Sequence, residues 1–231
     1  RAFPRVATRP LGVDGPGIRR FVAVSTVGTA LESVRSLFPA LLLGIVATPS
    51  QVAFFRAAQA PQAGVAVLSA PGRVILLTQQ THDVERGDLT RVARTLRRYV
   101  AGATALMLVL VPPFLWFMPD LVRLVFGDGY APATDAARLI LLAAALQVVF
   151  GWSKSFPVSI GRPGLRIVAN SVELAALVPC LVVFGARWDA TGAAGAVLVG
   201  VGASALAWLV LLARLRRTGI GAEARRGEEL L

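Results

Sequence analysis

The stretch Tyr99–Met118, YVAGATALMLVLVPPFLWFM, runs for 20 residues without a charged side chain. A helix needs about 20 predominantly apolar residues to cross the hydrocarbon core of a bilayer. Inside a bilayer every backbone N–H and C=O must be satisfied within the segment, which an α-helix achieves. The stretch therefore reads as a membrane-spanning helix. Its Pro112 and Pro113 each remove a backbone donor and are expected to kink it.

Working outward, five more stretches read the same way. The first is about Phe21–Ala47, and the second, polar in its first half, about Val52–Leu77. Tyr99–Met118 is the third. The fourth is about Ala136–Trp152, AARLILLAAALQVVFGW, the fifth about Leu165–Gly185 and the sixth about Ala193–Leu215. Composition agrees. The apolar set makes up 55% of the 231 residues, and charged residues 16% against roughly 25% in soluble domains. Mean hydropathy is +0.67. The expected fold is an all-α polytopic membrane protein of about six transmembrane helices. Its domains are a Pro- and Gly-rich linker (1–17), a six-helix lobe (18–217) and a cytoplasmic tail (218–231).

The net charge of +11 would point to nucleic acid in a soluble protein. Here the bases cluster between apolar runs, where they meet anionic lipid headgroups instead. With six spans, 19 of the 24 basic residues fall on the side of the termini and four on the other, with Arg35 inside a span. The positive-inside rule makes the 19-residue side, and both termini with it, cytoplasmic. The basic segment at about 86–98 carries Leu89, Val92, Leu96 and Tyr99 at helical spacing. It reads as an amphipathic helix on the cytoplasmic leaflet. The turn GWSKSFPVSIGRPGLR, Gly151–Arg166, is assigned to the cytoplasmic mouth between the fourth and fifth spans, with Trp152 at the interface. All bases except Lys154 are Arg, which with abundant Ala, Gly and Val hints at a GC-rich bacterial genome. The chain starts at Arg1 and shows no signal-peptide pattern, so it is expected to be the C-terminal part of a longer protein.

Charges inside the spans are the candidates for chemistry, because an ionised group near the bilayer centre is costly unless paired or wet. Glu32 and Arg35, at i and i+3, share a helix face. They either neutralise one another as structural glue or line an aqueous cavity. The second span presents Arg56, Gln59, Gln62, Ala66, Ser69 and Arg73 on one stripe. Arg56 either clamps a phosphate through its planar fork or snorkels to the outer interface. In the fifth span Asn170 and Glu173 repeat the i, i+3 spacing, one turn after Arg166. Glu173 either binds a proton or cation or is a hydrogen-bonded structural carboxylate. In the sixth, Gly192, Ala196, Gly200 and Ser204 recur every four residues, as close helix packing requires. Cys180 stands alone, His82 is the one histidine, and no nucleotide-binding or metal-binding motif occurs. No enzyme activity is expected.

Three stretches carry a family resemblance. They are LVRLVFGDGYAPATDAARLILLAAALQVVFG (121–151), SQVAFFRAAQAPQ (50–62) and VERGDLTRVARTLRRYV (84–100). Each is similar to a segment of the multidrug/oligosaccharidyl-lipid/polysaccharide exporter superfamily. The chain resembles the C-terminal half of its polysaccharide-biosynthesis flippases over about residues 18–217. The resemblance implies one lobe of a two-lobe transporter in the bacterial plasma membrane. It implies transport of an undecaprenyl-diphosphate-linked oligosaccharide for cell-surface polysaccharide. The implied partners are that lipid-linked sugar, anionic lipids, and a preceding six-helix lobe or partner subunit. Arg35, Arg56, Gln59, Lys154 and Arg162 would contact substrate. Glu32 and Glu173 would balance charge or take a coupling proton or sodium ion, with no other cofactor. The alternatives are a cation-coupled multidrug exporter and a non-transporting scaffold for polysaccharide assembly.

Overall fold

The computed structural model of the chain describes residues 15–67, 69, 89–154, 156–159 and 164–218. The linker up to residue 14, the tail from 219, Arg73, His82 and Arg162 lie outside the described residues. Every element among the described residues is helical. Helix α1 is Gly15–Val46 and α2 is Pro49–Ala58, with helix resuming at 60–67 after a turn at Gln59. Then come α3 (Leu89–Trp116), α4 (Met118–Phe126), a 3-10 helix (Asp128–Ala133) and α5 (Thr134–Val149). A second 3-10 turn (Gly151–Lys154), the short α6 (Phe156–Ser159) and α7 (Gly164–Thr218) follow. Among the described residues, four stretches are long and apolar enough to cross a membrane: Gly17–Val46, Arg94–Trp116, Asp128–Val149 and Gly164–Arg214.

The last of these has 51 residues, which in straight helix would reach about 77 Å, more than twice the about 30 Å hydrocarbon core. It folds back on itself. Helical geometry fails at Trp188 (φ −131°, ψ 19°) and Asp189 (φ 50°, ψ −130°). Beyond that point Gly192 packs on the backbone of Phe184 and Gly185, and Gly200 on Glu173 and Leu177. Farther out, Ala169 and Trp208 share one buried cluster. These pairs step symmetrically away from 188–189, so residues 164–187 and 190–218 are antiparallel arms of a hairpin. The small-residue stripe of the returning arm is its contact surface: Gly192, Ala196 and Gly200 are buried against the first arm or α5. Side chains this small let helices approach closely, which replaces the missing hydrophobic drive between helices in lipid.

α5 is the central element. It packs on α2, α3, α4 and both arms of α7, and 44% of its membrane-length window is buried, against 17% for α1 and α3. Its inward face is Ala136, Ala137, Ile140, Leu141, Ala143 and Ala144. Many large apolar side chains of the neighbouring helices point outward: Leu108, Val109, Trp116 and Leu124 are 70–83% exposed. An apolar exterior over an alanine-rich interior is the arrangement for a helix bundle that meets hydrocarbon rather than water.

The junctions follow local chemistry. Pro49 opens α2 at its first turn, where its missing N–H costs nothing, and holds Thr48 extended (φ −74°, ψ 156°). Gly127 closes α4 at φ 86°, ψ 170°, a region open essentially to glycine alone. Tyr130, three residues on, stacks edge-on to Phe54 (5.7 Å) and tilted on Phe126 (5.6 Å), tying α2 to the end of α4.

Two local findings depart from the sequence reading. The amphipathic α4 had no counterpart in the expected spans. Trp152, expected at an interface, is 2% exposed. It packs against Trp208 (5.3 Å), Phe156 (5.8 Å) and Phe150 (6.2 Å). A ring that finds three aromatic neighbours gains more by burial than by sitting at a headgroup. The basic segment before the third span is not set apart by a break: Leu89–Trp116 is one helix, and Leu96, Tyr99 and Val100 pack on the Trp152 cluster.

Candidate functional site

Five ionisable side chains from three separate segments converge beside the hairpin. α1 supplies Glu32 and Arg35. The 3-10 turn supplies Lys154. The first arm of α7 supplies Arg166 and Glu173, which with Asn170 lie on one helix face at i, i+4 and i+7. Leu146, Gln147 and Phe150 at the end of α5 form another wall, and Ser204, Ala205 and Trp208 on the returning arm a further one.

The pairing runs between helices. Arg35 Nη1 donates to Glu173 Oε1 at 2.6 Å, with side chains only 14% and 8% exposed. Glu32 is a hub: its Oε1 accepts from Lys154 Nζ at 2.5 Å and its Oε2 accepts from Arg166 Nη2. The i, i+3 neighbours Glu32 and Arg35 stand 3.9 Å apart, at the limit of an ion pair. The alternative of mutual neutralisation within α1 is thereby displaced: each finds its nearest partner more than 120 residues away. A carboxylate with two oxygens can satisfy two cations that approach from outside its own helix, and the short i, i+3 geometry offers no comparable alignment. Asn170 Nδ2 reaches Gly28 O at 3.5 Å, where α1 crosses the arm.

These groups surround a cleft of about 50 Å³. A water needs roughly 10–15 Å³ measured this way, so the cleft has room for a few waters and not for a sugar. Three cations and two carboxylates line it. A buried polar donor adds to them: Gln147 Oε1 accepts from Gln62 Nε2 at 3.1 Å, and Gln147 Nε2 has no partner among the described residues. Ion pairs that are partly wet and lie between elements can exchange one partner for a ligand's charge, which is the chemistry this arrangement offers.

The other sequence candidates separate from this cluster. Arg56 is exposed and donates to Gln59 at 3.4 Å on its own helix, and neither lines the cleft. Among the described residues of the expected polar stripe, Gln62 reaches toward it by way of Gln147. Ser69 bonds back to Ala66 O at 3.2 Å. Sequence reasoning did not put Arg166 or Gln147 among the site residues. Both had a signal: Arg166 precedes Asn170 and Glu173 on one face, and Gln147 is the lone polar side chain of LILLAAALQVVF (139–150). Among the described residues no group of three or more His, Cys, Asp or Glu side chains is placed to hold a metal ion.

No family model matches the chain, and neither a curated protein nor a solved structure matches it. Membrane-length helices and the charged cleft between them are what characterise the protein.

Proposed function

We propose that the chain is one lobe of a membrane transporter that moves a lipid-linked oligosaccharide bearing a diphosphate across the bacterial plasma membrane. The observation that carries this reading is the convergence of Glu32, Arg35, Lys154, Arg166 and Glu173 beside helices long enough to span the bilayer. Ionised groups at such depth are costly and mark pathways for charged cargo. Arginines in a low-dielectric cleft suit phosphate oxygens, which they bind bidentately. A surplus of cations over carboxylates favours an anionic cargo over the cationic drugs of a multidrug exporter.

In this reading α1, the helix opening at Pro49, α3, α5 and the two arms of α7 are six crossings with cytoplasmic termini. Lys154 and Arg166 then sit toward the cytoplasmic mouth, and a second lobe completes the pathway. Cargo enters as the ion pairs part, since the cleft as it stands admits only water. Glu32 or Glu173 takes a proton or sodium ion as the cations turn to the diphosphate.

The test is flipping of an undecaprenyl-diphosphate-linked sugar by the full-length protein in liposomes. Arg166→Ala and Lys154→Ala are each expected to slow flipping at least tenfold at unchanged protein level. Wild-type protein that flips none of several such lipids overturns the transporter reading in favour of a scaffold.

A further inference from the structure

A second cavity lies on the opposite side of α5, between α2 with residues 60–67, the second half of α3, and α4. It measures about 280 Å³, and no charged side chain lines it. Its shape follows from residue size. The α2 side offers mostly small side chains, Ala57, Ala60, Pro61 and Gly64 beside Val65, while α3 offers larger ones such as Met107 and Phe114. A trough results that the protein's own side chains do not fill: a Cβ at Gly64 would meet nothing within 4 Å. The trough is open along the bundle's exterior, where Phe114 and Val125 are exposed, and its lining is almost wholly apolar. Its walls lose dispersion contacts unless hydrocarbon enters.

The rim of this trough carries cations. Arg56 directly precedes Ala57 and lies one turn from Ala60, and it is exposed. No carboxylate pairs with it among the described residues; its contact is Gln59 at 3.4 Å. On α4, Arg123 follows Val122 of the lining, with a side chain 58% exposed and only a loose 3.8 Å pairing to the exposed Asp128. The Phe54–Tyr130 contact, two residues before Arg56, and the Phe126–Tyr130 contact, three residues after Arg123, join these parts of α2 and α4 through one ring. A hydrocarbon slot with guanidinium groups at its rim matches one ligand chemistry, an acyl chain joined to a phosphate diester.

We propose that this groove is a binding site for an anionic glycerophospholipid. One acyl chain lies along Ala57, Ala60 and Gly64, Arg56 holds the phosphate diester, and Arg123 adds to the positive rim. The site requires only that the chain lies in a membrane, and it is independent of what the charged cleft carries. It gives Arg56 a role on the lipid-facing side of the bundle, away from the Glu32 hub.

The experiment is native mass spectrometry of the purified full-length protein, titrated with phosphatidylglycerol and phosphatidylcholine of identical acyl chains. One phosphatidylglycerol is expected to bind at least ten times more tightly than phosphatidylcholine. Gly64→Trp fills the trough and is expected to remove this bound lipid of either headgroup, with Gly64→Leu intermediate. Arg56→Gln, at an exposed position that leaves the fold intact, is expected to keep the tail site but lose the tenfold preference. Equal binding of the two lipids by the wild type overturns the proposal. So does an unchanged preference in Arg56→Gln, or undiminished binding in a folded Gly64→Leu.

Discussion

Gly192→Ala is expected to be among the most destabilising substitutions in the protein, although it adds a single methyl group. The added Cβ would lie 1.9 Å from Phe184 O and 2.4 Å from Phe184 C. Both are backbone atoms of the facing arm, so no rotamer change relieves the contact. The hairpin arms must separate, which also loosens Gly200 from Leu177 farther along. Overpacking typically costs about 1–3 kcal/mol, and a clash that moves whole helices belongs at or above about 3 kcal/mol. Gly202, ten residues on in the same arm, has nothing within 4 Å of its Cβ position. Gly202→Ala is therefore expected to be neutral, or to stabilise by up to about 1 kcal/mol through helix propensity. Thermal unfolding in detergent, followed by tryptophan fluorescence, separates the two. Equal melting of Gly192→Ala and wild type would mean that the arms do not meet at Phe184.

The second large effect concerns Arg35 and Glu173. Their side chains are the least exposed of the charged cluster and meet at 2.6 Å. Removing one member of a buried pair leaves the other as an uncompensated charge, which costs about 3–5 kcal/mol. Arg35→Leu and Glu173→Leu are each expected to approach that range. The double Leu variant is expected to be more stable than either single one, because it leaves no orphan charge. A double-mutant cycle measures this coupling directly. The same proteins also separate structure from transport. If the pair serves cargo, the double variant folds and fails to flip lipid-linked sugar; if it is only glue, flipping survives. Simple additivity of the two single costs would rule out the direct pairing.

The sequence revealed the helices better than it revealed their partners. Hydropathy and length located the C-terminal end of the Tyr99–Met118 helix and both ends of Ala136–Trp152 within a few residues, because a largely apolar run of that length has few other folds, whereas the third helix starts ten residues earlier, at Leu89. The hairpin turn was also visible as the polar break RWDATG (187–192), although it contains no glycine at Asp189, the described non-glycine residue with positive φ. What sequence spacing could not supply was long-range geometry. Helical periodicity paired Glu32 with Arg35, since within a single helix only side chains three or four residues apart face one another. The actual partners, Lys154, Arg166 and Glu173, come from 122 to 138 residues away and depend on how α1 crosses α7. Arg56 illustrates the converse. Its type and stripe position resembled a cavity residue, yet Arg56 is exposed, while Gln62 of the same stripe bonds to Gln147 beside the cleft. Trp152 was misplaced for a related reason: aromatic enrichment at interfaces is a tendency of unpaired rings, and this one has Trp208 to pack against.

Five charges line a cleft with room for water beside helices long and apolar enough to cross a membrane. Ser204 lines that cleft from the returning arm, and Leu209, in the same arm, is 53% exposed on the bundle's apolar exterior. A thiol reacts as its thiolate, which needs water. In full-length protein with Cys180→Ala, single cysteines are placed at Ser204→Cys and Leu209→Cys in native membrane vesicles. Their reaction with a small, anionic, membrane-impermeant thiosulfonate is then timed. Ser204→Cys is expected to react at least tenfold faster than Leu209→Cys, and to be protected by undecaprenyl-diphosphate-linked sugar. Equal, slow reaction at both positions would contradict a water-filled cleft and leave the charged cluster a dry structural clamp.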